Sequence, residues 1–423
     1  MPRPLVVAIA GLMILAASRA GARVPTQAAD TSADLEAMRE SGDLTSQRLY
    51  IWQVLTQLLK SPDGKSDVAF ESWIGEGDAF STAPADPTRD GIRAFSRATS
   101  TMGKGGPKGG AEAPFPNAPV LAFTLYNAVA YDHIRAHRLN RLSELARLRS
   151  AGPVDREFAD DRSIPPFPRD AMVLKTVWWP VAEHEVTSMP VWDSSDDLPR
   201  RSGNNYLQWQ RAVIIDPTRP GTEPAGSRSA EFVGRSFPES PVFGLAAFHH
   251  ISVDARLARQ LNRDNEAHRA GLLALGRPFR AGDYLVLVGM NLAAKDIENW
   301  VWASLWWHDH PDQGPFAAGR PEALPSAWRH YLMRVAFDAE KPAEARGGAH
   351  VCFNPWLEAR FPDGGHGGGE LSNCLACHRR ASYPPVNFLP VTRGAPDPAS
   401  DPAYAPGRLR TGFLWSIALH ATP

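Results

Sequence analysis

From about residue 170 the sequence breaks into short apolar or alternating runs, each closed off by Pro, Gly, Asp or Asn. No other feature narrows the fold so much, because runs of this length are too short for ordinary helices and too regular for loops. They are Met172 to Val181, Arg211 to Ile215, Phe248 to Val253, Tyr284 to Leu292 and Trp300 to Trp307. The last two are separated by Ala293 to Asn299, room for an irregular hairpin loop, so an antiparallel pair is predicted there. The spacing of the set predicts a β-sandwich-like domain over residues 166–339. Asp254 to Leu275 interrupts it with a helical pattern, Asp254 serving as N-cap and Gly276 as the stop. The chain therefore reads as α+β rather than all-β.

Residues 23–165 read as a helical region with a Gly- and Pro-rich loop. Thr31 to Lys60 carries apolar residues at helical spacing broken near Gly42, which predicts one or two helices. Leu121 to Ser150 is helical by period, with Arg135, Arg138, Arg141, Arg147 and Arg149 toward its C-terminal half, where cations suit the helix dipole. Between them lies Gly103-Lys104-Gly105-Gly106-Pro107-Lys108-Gly109-Gly110, which lacks the Ser or Thr after Gly-Lys and the flanking strand and helix that a phosphate-binding loop requires. A surface loop is expected there. Residues 340–423 read as a small lobe of loops and short helices packed on the sheet domain, with Arg408 to Leu419 as a terminal helix.

The chain has 423 residues, 43% of them hydrophobic, enough to bury cores for two or three compact units. Arg3, the uncharged run Leu5 to Ala17 and the small residues Ala20-Gly21-Ala22 predict a signal peptide over residues 1–22 and export, with the periplasm as destination. The run is shorter than the roughly 20 residues that span a bilayer and no later run qualifies, so no integral membrane span is expected after cleavage. With 45 Lys+Arg against 46 Asp+Glu and no basic concentration, nucleic acid is not an expected partner. No Ser nucleophile elbow, H-E-x-x-H helix or Gly-rich dinucleotide fingerprint occurs.

One pentapeptide carries specific chemistry. Cys374-Leu375-Ala376-Cys377-His378 is C-x-x-C-H. Two intervening residues let a single helical turn place both sulfurs along a haem edge for thioether bonds to the vinyl groups, while the adjacent His presents its imidazole to iron. One covalent haem c is expected, tethered by Cys374 and Cys377 with His378 as proximal iron ligand. Export agrees with this, since covalent haem attachment takes place outside the bacterial cytoplasm. Residues 371–423 resemble the haem-binding segment of c-type cytochromes, a resemblance specific at the five-residue motif. It implies one-electron transfer with an unidentified redox partner. Small soluble members of that family usually take a downstream Met as sixth ligand, whereas this sequence has no Met after Met333 and only 45 residues beyond His378.

His420 is the only downstream His and so a candidate sixth ligand, with Met290, Met333, His350 and His366 as upstream candidates. An open sixth position would instead admit peroxide or another small molecule and make the chain a haem enzyme. A third reading has the β-rich domain binding a ligand with the haem as a redox accessory. The motif itself leaves other chemistries open: a zinc site from Cys352, Cys374, Cys377 and His350 or His366, a redox dithiol, or a Cys374–Cys377 disulfide. Cys352, left over once haem takes two thiols, reads as a buried inert residue, with a free thiol or an intermolecular link as alternatives. The indoles of Trp178, Trp179, Trp300, Trp302, Trp306 and Trp307 read as packing between layers rather than as a sugar platform or a haem-pocket lining. His308-Asp309-His310 reads as a polar turn.

Overall fold

The strand-forming runs assemble around one long antiparallel sheet. The structure, a computed structural model, describes residues 32–60, 68–85, 118–193, 206–341, 350–359, 361, 369–386 and 401–423. The expected signal peptide, the Gly-Lys-rich stretch and His366 lie outside the described residues.

Two helices come first, α1 (Ser32–Ser41) and α2 (Leu44–Leu58). They hinge at Gly42, whose φ of +67° costs glycine nothing, and Asp43 caps α2 through the amides of Thr45 and Ser46. Next come β1 (Ile74–Gly75), α3 (Glu76–Ala79), β2 (Leu121–Tyr126), α4 (Ala128–Ala136) and α5 (Leu142–Ala151). Strands β3 (Arg162–Ser163), β4 (Met172–Val181), β5 (Thr187–Val191), β6 (Arg211–Asp216), β7 (Ser227–Phe232), β8 (Arg235–Gly244) and β9 (His250–Ser252) lead to helices α6 (Ala255–Arg263) and α7 (Asn265–Leu275). The chain then runs through β10 (Tyr284–Ala294), β11 (Val301–Trp307), β12 (Tyr331–Ala336), α8 (Cys374–His378), β13 (Ser382–Tyr383), β14 (Leu409–Arg410) and α9 (Trp415–His420). The result is an α+β fold, and among the described residues no helix is long and apolar enough to cross a membrane.

The main sheet runs β1-β2-β4-β10-β11-β12, with β9 also paired to β10, and every pairing is antiparallel. Three of its strands are buried on both faces, even at the β12 edge: all seven residues of β11 and all six of β2 and β12 are buried. Such strands read as continuous apolar runs because neither face meets water. A second sheet has the order β5-β6-β8-β7, and a small third one joins β13, β14 and β3.

Three elements depart from the sequence expectation. Leu121 to Ser150 is not one helix; it begins as strand β2, and Asn127 ends the strand and caps α4 by accepting from the amide of Ala130 (2.9 Å) and from that of Met172 on β4 (3.0 Å). Arg408 to Leu419 is likewise divided, because consecutive left-handed residues, Gly412 (φ +58°) and Phe413 (φ +71°), turn the chain between β14 and α9. Three expectations agree: β10 and β11 pair antiparallel, Asp254 caps α6 and Gly276 stops α7 in the left-handed region. Asp264 adds a second cap that divides the expected helix in two.

Candidate functional site

A row of polar residues crosses the middle of the apolar main sheet. The registers Thr124 with Lys175, Lys175 with Asn291, Asn291 with Ser304 and Ser304 with Arg334 place one residue from each of five adjacent strands side by side. Directly opposed residues of an antiparallel sheet project to the same face, so these five share one. That face also carries Trp302, two residues from Ser304 on β11. A loop packs over the row: Asn354 donates to the Leu305 carbonyl (2.8 Å), Asn291 donates to Glu358 Oε1 (3.0 Å) and the Asn354 amide donates to Glu358 Oε2 (2.6 Å). Gly289 makes this approach feasible, since a Cβ there would lie 2.9 Å from Asn354 Oδ1. Asn291 Oδ1 and the hydroxyl of Ser304 are buried without a hydrogen-bond partner among the described residues.

Helix α8, which is the C-x-x-C-H segment, lies on the same face. Asn373 starts it: Oδ1 accepts from the Ala376 amide (3.2 Å), and Nδ2 donates to the His350 carbonyl (3.1 Å), tying the helix to the segment beside β12. Cys374 and Cys377 are buried in this turn, and the Cys377 carbonyl accepts from Trp415 Nε1 of α9 (3.2 Å). His378 packs on Trp302, ring centroids 4.3 Å apart, and its Nδ1 lies 2.7 Å from the Phe413 carbonyl. A carbonyl only accepts, so Nδ1 carries the proton and Nε2 carries the lone pair. Nε2 has no hydrogen-bond partner among the described residues. Burial first, and the Lys175 ammonium further, lower the imidazole pKa to about 4 against the Phe413 bond, so the ring is neutral near pH 7.

The chemistry of this donor set fits a haem c. A neutral imidazole with its tautomer fixed by a backbone carbonyl and a bare Nε2 is the form that binds iron. It is half-buried, retaining accessible surface in a setting where desolvation dominates its titration. Both cysteines stand on the same turn, as thioether attachment requires. The Cys374 thiol pKa is pushed up by the Cys352 thiol, then by burial and by the negative groups of Glu358 and Cys377. Among the described residues no group of three or more His, Cys, Asp and Glu side chains is placed to hold a metal ion, which leaves the zinc alternative from Cys352, Cys374, Cys377 and His350 without a geometric basis there.

The candidate sixth ligands scatter. His420 Nε2 lies 3.3 Å from Glu76 Oε2 of α3 and its ring faces Phe80. His350 Nε2 lies 2.6 Å from the Val335 carbonyl. Met290 is opposite Leu305, and Leu305 opposite Met333, one residue out of register with the polar row, so both Met side chains project from the other face of the sheet. They cannot reach His378. His308, Asp309 and His310 form a polar turn, with the His310 amide donating to His308 Nδ1 (2.9 Å) and Asp309 paired with Arg211.

Three contributors to this site, Phe413, Lys175 and Asn373, escaped the sequence reading. Phe413 acts through its backbone, which no side-chain pattern reveals. Lys175 was visible as the lone charge within the apolar run Met172 to Val181, and Asn373 as a capping residue directly before the motif. Cys352 is brought against Cys374 by a bridge between segments 21 residues apart, Cys352 with Asn373, which spacing does not foretell. Trp302 was read as core, and it is core, yet it is also the aromatic wall of the His378 site. No protein-family model, curated protein or solved structure matches the chain.

Proposed function

We propose that this chain is an exported monohaem c-type cytochrome-like protein that transfers single electrons. The observation that carries the reading is the C-x-x-C-H turn itself, capped by Asn373 and ending on an imidazole whose Nδ1 proton is committed to the Phe413 carbonyl. Cys374 and Cys377 would hold the haem by thioethers and His378 Nε2 would take the iron. When bound, haem supplies an iron centre cycling between ferrous and ferric states. The chain's own contribution is positional: Asn373 fixes the start of the turn, Phe413 fixes the tautomer, and Trp302 fixes the ring plane.

A second reading is favoured by one particular observation, the dispersal of the four sixth-ligand candidates that lie among the described residues. His420 is engaged by Glu76, His350 by the Val335 carbonyl, and Met290 and Met333 lie across the sheet. This arrangement supports an open sixth position and a haem enzyme acting on peroxide or another small ligand. Carbon monoxide added to the reduced, haem-loaded protein separates the two: rapid spectral change supports the enzyme, and no change supports a closed electron carrier.

A further inference from the structure

We propose that Cys352 and Cys374 form a disulfide when the chain carries no haem. The two residues are held together by backbone on both sides of the contact. The Cys352 amide donates to the Ser372 carbonyl (3.0 Å) and the Cys374 amide donates to the Cys352 carbonyl (2.9 Å). That ladder places Cys374 Sγ 3.2 Å from the Cys352 carbonyl oxygen, and the two thiols interact directly. The parallel bridge joins Cys352 to Asn373, and Cys374 follows as the first residue of α8, so the two cysteines sit side by side at that bridge. Cys377 is the competing partner, being one helical turn from Cys374, yet the Cys374 hydrogen bonds run to Cys352.

The reaction is ordinary thiol–disulfide exchange with a low-molecular-weight disulfide, the oxidant class of an oxidising compartment. One cysteine thiolate attacks that disulfide and expels one thiol; the second cysteine then attacks the mixed disulfide and expels the other. Two S–H bonds are lost and one S–S bond forms in the protein, and the oxidant leaves as two thiols carrying the two electrons and two protons. Cys352 is 0% and Cys374 7% exposed, so formation and reduction of the bond both proceed through local opening of this segment. Resting on the haem reading, a consequence follows: Cys374 has no thiol to offer a vinyl group until this bond is reduced, so Cys352 sets the order of reduction and haem attachment.

The test uses the full chain made in a host lacking c-type haem maturation and equilibrated with reduced and oxidised glutathione. After acid quenching, free thiols are alkylated and the protein is digested with trypsin, which yields peptides 347–360 with Cys352 and 361–379 with Cys374 and Cys377. The expected product is a cross-link between these peptides that tandem mass spectrometry assigns to Cys374, with Cys377 alkylated. A bond between Cys374 and Cys377, a bond from Cys352 to Cys377, or alkylation of all three would overturn the proposal. Because no haem is present, failure of the haem reading leaves this result unmoved.

Discussion

Replacing Asn373 by Ala removes the side chain that both starts α8 and ties it to the segment beside β12. Its Oδ1 loses the Ala376 amide (3.2 Å), and its Nδ2 abandons the His350 carbonyl (3.1 Å) at a residue only 1% exposed. Loss of an N-cap costs about 1 kcal/mol. Loss of the buried hydrogen bonds from Nδ2 to the His350 and Asp338 carbonyls costs about 1–3 kcal/mol more. The local penalty is therefore about 2–4 kcal/mol, or roughly 30- to 700-fold in an opening equilibrium at about 1.4 kcal/mol per tenfold. Native-state hydrogen exchange reads it at the Cys377 and Arg379 amides, which donate to the Asn373 and Leu375 carbonyls at 3.0 and 2.8 Å. Asn373→Ser keeps an acceptor for the cap and gives up only the donor, so it should exchange about fivefold more slowly than Asn373→Ala. Exchange within threefold of wild type in Asn373→Ala, or equal exchange in both variants, would refute the assignment of two separable roles to this side chain.

Three further outcomes are expected. Arg277 holds the 1% exposed Asp283 through both carboxylate oxygens (2.7 and 2.8 Å), so Arg277→Met should cost about 2–4 kcal/mol in urea unfolding by stranding a buried charge. Burial lowers the pKa of His308 from 6.5 to about 4; the unfolded state therefore binds its proton first, and stability is full above pH 6.5 and falls as pH drops toward 4. His308→Gln should flatten that fall by up to about 3 kcal/mol, visible as a smaller loss of urea midpoint between pH 7 and 4. Val233 and Gly234 turn the β7–β8 hairpin with φ of +51° and +68°, and Val233 is exposed, so Val233→Asn should stabilise by about 1 kcal/mol and raise the melting temperature.

Strand identity was legible for β4 and β11, both apolar runs inside the main sheet. Met172–Val181 and Val301–Trp307 stand out as apolar runs because neither face of the main sheet meets water. The β7–β8 hairpin was not legible, because β7 exposes four of its six residues and its turn is Val-Gly rather than Asn-Gly. Strand β2 was mistaken for the start of a helix because Leu121–Tyr126 is apolar throughout and a real helix follows directly; the capping Asn127 was the signal that separates them. At the candidate site, Cys374, Cys377 and His378 could be grouped from the sequence because they are contiguous. Lys175, Asn291, Ser304 and Arg334 were not, since only register across four strands brings them into one row. The faces of β10 and β12 likewise decide that Met290 and Met333 are remote from the motif, a fact invisible until the sheet is assembled.

The central claim is covalent haem at Cys374 and Cys377. Co-expression with a cytochrome c maturation system, followed by intact-mass measurement and haem staining of a denaturing gel, tests it most directly. The account predicts a mass increase of one haem that survives denaturation in the wild type and disappears in Cys374→Ser/Cys377→Ser. A wild-type chain at its unmodified mass, with no haem-stained band, would contradict it.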